Sequence, residues 1–70
     1  MADREELSNR LKVLRAERDL TQEELARRVR VTRKTINTVE RGVFVPSTVL
    51  ALKLARELGV SVEEIFHLED

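Results

Sequence analysis

The sequence has no cysteine, tryptophan or tyrosine, and its 70 residues include only two glycines and one proline. Without cysteine, the chain can form neither a disulfide framework nor a thiolate metal site. The scarcity of glycine and proline leaves few residues for the tight turns that join short strands. Leucine, alanine, glutamate and arginine are abundant, and all four are good helix formers. The composition and length therefore predict one all-α domain over residues 1–70.

A long apolar run is also absent. No stretch approaches the roughly 20 apolar residues needed to span a bilayer. The N-terminus, Met1-Ala2-Asp3-Arg4-Glu5-Glu6, lacks the basic and then apolar pattern of a signal peptide. Together with the lack of cysteine, these features predict a soluble, cytoplasmic protein with no membrane partner.

The chain has no excess of either charge, because 13 lysines and arginines balance 13 aspartates and glutamates. The distribution is uneven: the net charge is −2 over residues 1–9, +5 over residues 10–42 and −3 over residues 43–70. Five bases and no acid lie between Arg27 and Lys34. Because attraction to a polyanion depends on the local field, this neutral chain can still present a basic face.

The spacing of apolar residues predicts five short helices around one core. Leu7, Leu11 and Leu14 recur at the i, i+4, i+7 spacing of one helix face, in a first helix that ends near Asp19. Residues 21–24 have the sequence Thr-Gln-Glu-Glu, a capping box that begins a second helix of about eight residues.

Helix starts and stops define the third and fourth helices. Thr32 is a suitable N-cap for the third helix, and Gly42 supplies its stop. Ser47 is the N-cap of a fourth helix, which runs to about Leu58 and ends at Gly59.

A second capping box, Ser-Val-Glu-Glu at residues 61–64, predicts a last short helix. Ile65 and Phe66 are expected to face inward from this helix. The chain is then expected to fray from His67 to Asp70.

Residues 21–41 are the most informative part of the chain. A capped eight-residue helix, about three connecting residues and a second short helix make a helix-turn-helix unit. The second helix presents long donors and short hydrogen-bonding groups, which suit the base edges and phosphates of a major groove. These residues are Arg33, Lys34, Asn37, Thr38 and Arg41. No aromatic residue lies among them to stack on single-stranded bases, so double-stranded DNA is the expected partner.

Several motifs follow one another in order and without gaps over residues 8–68. They are Arg10-Leu11-Lys12-x-Leu14-Arg15, Leu20-Thr21-Gln22-Glu23-Glu24-Leu25-Ala26, Val31-Thr32-Arg33-Lys34-Thr35-Ile36-Asn37, Glu40-Arg41-Gly42, Pro46-Ser47, Leu52-Lys53-Leu54-Ala55 and Leu58-Gly59-Val60-Ser61. This ordered set resembles the Cro/CI-type (XRE) family of helix-turn-helix regulators. The resemblance implies a compact five-helix, lambda-repressor-like DNA-binding domain and a sequence-specific transcriptional regulator.

The resemblance also implies two kinds of DNA contact. Base contacts are expected from the start of the third helix and one turn further on, from Thr32, Arg33, Lys34 and Thr38. Phosphate contacts are expected from Gln22, Arg10, Asn37 and Arg41. Gln22 resembles a family residue that also supports the third helix, which is the recognition helix of the family. Glu40 is expected to form an ion pair with a basic residue such as Arg15.

The sequence departs from the family pattern at three places. Arg30 stands where the turn usually has glycine, so either Arg30 adopts a left-handed conformation, at a cost on the order of 1 kcal/mol, or the turn differs. Val43 and Val45 replace polar residues after the third helix, which argues against a phosphate contact there. Val49 replaces an exposed charged residue of the fourth helix. With Phe44, these valines are expected to form an apolar patch of the kind that marks an interface.

An enzyme is rejected, because the chain has no Ser/His/Asp set, no Gly-rich phosphate loop and no metal constellation. His67, the only histidine, is interpreted as a tail residue. No cofactor, metal or small-molecule ligand is implied. The alternative function is an antitoxin-like module that binds a partner protein through the same fold. Only about eight residues lie outside that fold, which favours a free-standing regulator.

A homodimer on a palindromic operator, acting as a repressor, is the expected assembly, since one small module covers little DNA. Its contact surface is expected at the fifth helix and the tail from Phe66 to Leu68, with Val49 or the loop of residues 43–45 as further candidates.

Overall fold

The computed structural model describes residues 6–69. Residues 1–5 and Asp70, the last residue of the predicted frayed tail, lie outside the described residues. Five helices and two strands follow one another as β1 (Glu6–Asn9), α1 (Leu11–Glu17), α2 (Gln22–Val29), α3 (Arg33–Glu40), α4 (Thr48–Leu58), α5 (Val62–Ile65) and β2 (Phe66–Glu69). The fold is mostly helical, but it is not strictly all-α. Within this part of the chain, no helix is long and apolar enough to cross a membrane.

The two strands pair in an antiparallel sheet, with Glu6 opposite Glu69 and Asn9 opposite Phe66. Three predictions are therefore wrong: Leu7 lies in β1 and not in the first helix, Phe66 lies in β2 and not in the fifth, and His67–Glu69 form a strand. Sequence periodicity cannot show this sheet, because its hydrogen bonds join segments from opposite ends of the chain.

Asn9 determines where α1 begins. Its Oδ1 accepts a hydrogen bond from the Leu11 backbone N–H at 3.0 Å, and its Nδ2 donates to the Val39 carbonyl at 2.9 Å. The Arg10 backbone N–H donates to the Ile65 carbonyl at 2.8 Å. These bonds connect the end of β1 to α3 and α5. The helix α1 therefore begins only after this connection, at Leu11.

Both predicted capping boxes are present. The Thr21 hydroxyl accepts from the Glu24 N–H at 3.0 Å, and the Glu24 carboxylate accepts from the Thr21 N–H at 2.8 Å. Ser61 and Glu64 form the same pair of bonds at the start of α5. Hydrogen bonds from the backbone N–H and then the hydroxyl of Thr21 lower the pKa of Glu24, and those of Ser61 lower the pKa of Glu64. Because these pKa values are lowered by folding, the boxes stabilise both helices at neutral pH and lose that effect only as the pH falls through the lowered values.

Each helix contributes one completely buried side chain to the core. These are Leu11, Leu25, Ile36, Leu54 and Ile65, in chain order. Burying a side chain of this size contributes about 1.5–3 kcal/mol. The core cluster in the described chain is entirely hydrophobic. Since Ile36 and Val39 point α3 into this core, the opposite side of α3 must face solvent.

The turn between α2 and α3 depends on Arg30, which adopts the left-handed conformation with φ 64° and ψ 47°. Of the two alternatives that the sequence left open, the structure shows the strained one. The Arg30 and Val31 backbone N–H groups donate to the carbonyls of Arg27 and Ala26, so the last carbonyls of α2 are satisfied as they would be by a glycine.

Candidate nucleic-acid interface

Helix α3 presents two basic side chains at its N-terminal end. Thr32 is its N-cap, and the Thr32 hydroxyl accepts a hydrogen bond from the Thr35 N–H at 3.2 Å. Arg33 and Lys34 follow in the first turn and are exposed, as is Thr32. The residues predicted to contact bases at the start of the recognition helix therefore lie together on the surface.

Thr38, the fourth predicted base contact, is only partly exposed. Its hydroxyl bonds to the backbone of its own helix, donating to the carbonyls of Lys34 and Thr35, both at 3.0 Å. A hydroxyl oxygen also has two acceptor lone pairs. In this arrangement Thr38 can thus accept a hydrogen bond from a base amino group, but its own proton points toward the helix.

A buried ion pair connects three helices beneath α3. Arg15 Nε lies 2.6 Å from Glu40 Oε2, and only 14% of the Arg15 side chain and 4% of the Glu40 side chain are exposed. Gln22 Nε2 donates to Glu40 Oε1 at 3.0 Å, while Arg15 Nη1 donates to the Leu20 carbonyl at 2.7 Å. The expected pairing of Glu40 with Arg15 is confirmed, and the Gln22 amide keeps its second N–H for another acceptor.

Three of the four predicted phosphate contacts lie toward the C-terminal end of α3. Gln22 bonds to Glu40, the last residue of α3, and Arg41 is the exposed C-cap. Arg10 is exposed and follows Asn9, whose amide bonds to the Val39 carbonyl. Asn37 is half-buried in the middle of the helix. The exposed cations at the start of this eight-residue helix, which is about 12 Å long, are thus separated from Gln22, Arg10 and Arg41, and Asn37 and Thr38 lie between the two groups.

Asn9 is a positioning residue that the sequence analysis missed. It holds the segment bearing Arg10 against the last turn of α3. The signal was available, because asparagine side chains often hydrogen-bond the backbone two residues further along the chain.

The cations of this surface have no carboxylate partners in the described part of the chain. Ion pairs there join Arg15 to Glu40, Arg18 to Glu17 and Arg28 to Glu57. Arg10, Arg33, Lys34 and Arg41 take part in none of them, so their charges are available to an external anion. Residues 6–69 also contain no group of histidine, cysteine, aspartate and glutamate that could hold a metal ion.

The predicted apolar patch is exposed, with Val43 and Val45 each 67% accessible. Phe44 and Val49 line a groove of about 250 Å³ between the α3–α4 loop and α4. A second apolar surface includes part of the predicted contact surface: Phe66 lines a groove of about 300 Å³ beside the sheet, together with Leu7 and Leu52, which were not predicted there. Leu68 of β2 is also exposed.

This chain is similar to known proteins in both sequence and fold. The helix-turn-helix family signature matches residues 11–65. An uncharacterized HTH-type transcriptional regulator of Methanocaldococcus jannaschii is 47% identical over 64 residues, covering 91% of this chain and 97% of that protein. The restriction-modification controller protein C.AhdI of Aeromonas hydrophila is 39% identical with a TM-score of 0.73, over 77% of this chain and 82% of its own. A putative DNA-binding protein of Bacteroides fragilis gives a TM-score of 0.79 at 28% identity, over 87% and 98% of the two chains.

Proposed function

Because the chain belongs to the XRE-type family of helix-turn-helix transcriptional regulators, we propose that it acts as a repressor, binding a palindromic DNA operator as a homodimer. Regulators of this family bind DNA and are not enzymes. The proposal treats residues 1–70 as one domain with its helix-turn-helix core at about residues 21–41. A role on DNA also agrees with a cytoplasmic location.

The observation that carries the proposal is the orientation of α3. Its apolar side is fixed in the core by Ile36, and its last residue is fixed by the ion pair of Glu40 with Arg15. The exposed side then presents Arg33 and Lys34, neither of which forms an ion pair within residues 6–69. A rigid helix with such a face fits a major groove, where arginine can bond guanine O6 and N7 together.

Gln22, Arg10, Asn37 and Arg41 are assigned to the DNA backbone. The second N–H of the Gln22 amide and the guanidinium groups of Arg10 and Arg41 are donors that suit phosphate oxygens. Contacts of this kind set the position of the protein on the duplex and carry no sequence information directly. Along α3, Arg33 and Lys34 at its start are therefore assigned to specificity and Arg41 at its end to anchoring, with Asn37 and Thr38 between them.

The dimer is assigned to the apolar surface formed by α4, α5 and β2. Leu52 and Leu68 are more than half exposed there, beside the groove lined by Leu7 and Phe66. Covering such a surface with a second copy would remove apolar area from water. It would also pair two recognition helices for half-sites about one helical turn apart.

Selection of bound sequences from a random pool of duplexes tests the function. The expected result is an enriched palindromic motif whose half-sites are separated by about one helical turn. If no duplex is enriched at low salt, the DNA-binding proposal is wrong and the antitoxin-like alternative, a domain that binds a partner protein, becomes the better interpretation.

Replacing Arg33 with alanine is expected to weaken binding by about 1–3 kcal/mol per half-site and to relax the preference at one or two base positions. Gln22→Ala and Arg10→Ala should instead weaken binding to all sequences about equally, since they remove backbone contacts. Binding of each variant to the selected site and to its single-base variants measures the difference. A uniform loss with intact base preferences in Arg33→Ala would contradict the placement of α3 in the groove.

Replacing Leu52 with lysine is expected to convert the dimer into a monomer, because it places a charge in the apolar contact. Val13→Lys is the matched control, since Val13 is an exposed valine on α1, 48% accessible, outside the assigned surface. Sedimentation of each protein, free and on the palindromic site, gives the result. An unmodified protein that stays monomeric in both conditions would contradict the dimer.

A further inference from the structure

A second basic surface lies away from α3. Arg28, Arg30, Lys53 and Arg56 line an open cleft of about 310 Å³, together with Val29. Arg28 lies in the last turn of α2 and Arg30 is the C-cap of that helix, while Lys53 and Arg56 come from the middle and the last turn of α4. Arg28 and Arg30 belong to the basic run between Arg27 and Lys34, but the placement of α3 in a DNA groove does not account for them.

The four positive charges of the cleft are poorly compensated. Within residues 6–69, the one carboxylate that pairs with them is Glu57, whose Oε1 lies 3.8 Å from Arg28 Nη1. An exposed pair at this distance contributes little. Like charges gathered around one cleft repel each other, and this self-repulsion opposes the folded state unless an anion lies between them.

Arg30 lines this cleft although its backbone conformation is strained. Its φ of 64° is a conformation that glycine adopts freely and that arginine adopts rarely. Strained residues of this kind are concentrated at ligand sites. The strained backbone and the exposed guanidinium together indicate that the positive charge of Arg30 serves to bind a ligand.

The cleft is separate from the recognition helix. None of its lining residues belongs to α3. Lys53 lies on its border with the apolar groove of Val31, Thr35 and Val49, which occupies the side toward α3. The apolar groove thus separates the cleft from Thr35 of α3.

We propose that this cleft is a binding site for a small polyphosphate anion, such as the phosphate chain of a nucleoside triphosphate. The planar fork of arginine matches phosphate geometry with two parallel hydrogen bonds, and three arginines around one cleft can bind successive phosphoryl groups. The volume corresponds to the lower end of small-ligand sites. The site contains no residue of α3 and departs from the expectation that the chain has no small-molecule ligand.

The test is a calorimetric titration of the full chain, without DNA, with inorganic tripolyphosphate. One saturable site per chain is expected. Arg56→Gln and Arg30→Gly should each weaken binding about tenfold or more, since each removes a charged hydrogen-bond donor. Arg30→Gly removes the charge while retaining the backbone conformation, so the variant should stay folded. Glu57→Gln should tighten binding by about twofold to fivefold, because it releases Arg28 and removes the opposing charge.

Arg27→Gln is the matched control, because Arg27 is an exposed arginine of α2 that does not line the cleft. Its affinity for tripolyphosphate should change little. The proposal is overturned if no saturable binding occurs, or if Arg27→Gln weakens binding as much as Arg56→Gln. It is also overturned if Arg33→Gln abolishes tripolyphosphate binding, which would place the anion on α3. Equal weakening of tripolyphosphate and duplex DNA by Arg56→Gln would assign the cleft to the DNA backbone instead.

Discussion

Replacing Glu40 with alanine is expected to lower the free energy of unfolding by about 3–5 kcal/mol. The change leaves the Arg15 guanidinium, with only 14% of its side chain exposed, without its carboxylate, and it removes the acceptor of the Gln22 amide. Removing one partner of a buried pair is costly because the remaining charge is still desolvated. A chain of 70 residues has a free energy of unfolding of about 4–10 kcal/mol, so the variant would lose a large part of its stability. Urea denaturation followed by circular dichroism measures the change.

Two further variants separate the buried charge from other effects. Glu23→Ala removes an exposed carboxylate from the first turn of α2 and should change stability by less than about 1 kcal/mol. The double variant Arg15→Met with Glu40→Leu removes both charges and should recover much of the lost stability. A Glu40→Ala protein within about 1 kcal/mol of the unmodified chain would show that the ion pair is not important for the fold.

The affinity for the preferred duplex is expected to fall by about 10³–10⁵ between 50 and 200 mM salt. A dimer that neutralises roughly 6–10 phosphates gives a slope of log K against log salt of about −5 to −9. Arg10, Arg33, Lys34 and Arg41 form no ion pair within residues 6–69, so each of these cations can displace counterions from the duplex, whether it bonds a phosphate or a base. Titration of labelled duplex at four or more salt concentrations measures the slope.

The Arg10→Ala and Gln22→Ala variants provide the internal comparison for the salt experiment. Arg10→Ala should flatten the slope by about 2 for a dimer, since each copy loses one phosphate contact that releases a counterion. Gln22→Ala should weaken binding and leave the slope unchanged, because glutamine has no charge. A slope near zero for the unmodified protein would remove the electrostatic basis of the DNA proposal.

The helices that could be predicted from the sequence are those whose ends are determined by local hydrogen bonds. Thr21 and Glu24, three residues apart, bond to each other and define the start of α2. Ser47 and Gly59 define α4 in the same local way. The partnership of Glu40 with Arg15 could be named from the family pattern, although 25 residues separate the two.

The features that could not be predicted all depend on contacts between distant segments. The Leu7, Leu11 and Leu14 spacing fits a helix as well as it fits a strand followed by a helix, and only pairing with β2 distinguishes them. The basic cleft likewise combines α2 with α4, which no local pattern connects. Arg27 and Arg28 are neighbours of the same type in the sequence, but only the second lines that cleft.

The pairing of β1 with β2 makes the two ends of the described chain depend on each other. Helix α5 has four residues, which are too few for a helix that is stable by itself. It is held by the strand β2 that follows it and by the hydrogen bond from the Arg10 N–H to the Ile65 carbonyl. Joining segments about 60 residues apart carries the largest loop-closure entropy in the fold, so the helices between them should form first and the ends should join last. Opening of the sheet would release α5 and the Asn9 bond to α3 together. The far end of the recognition helix would then be held by the ion pair of Glu40 with Arg15 and no longer by Asn9.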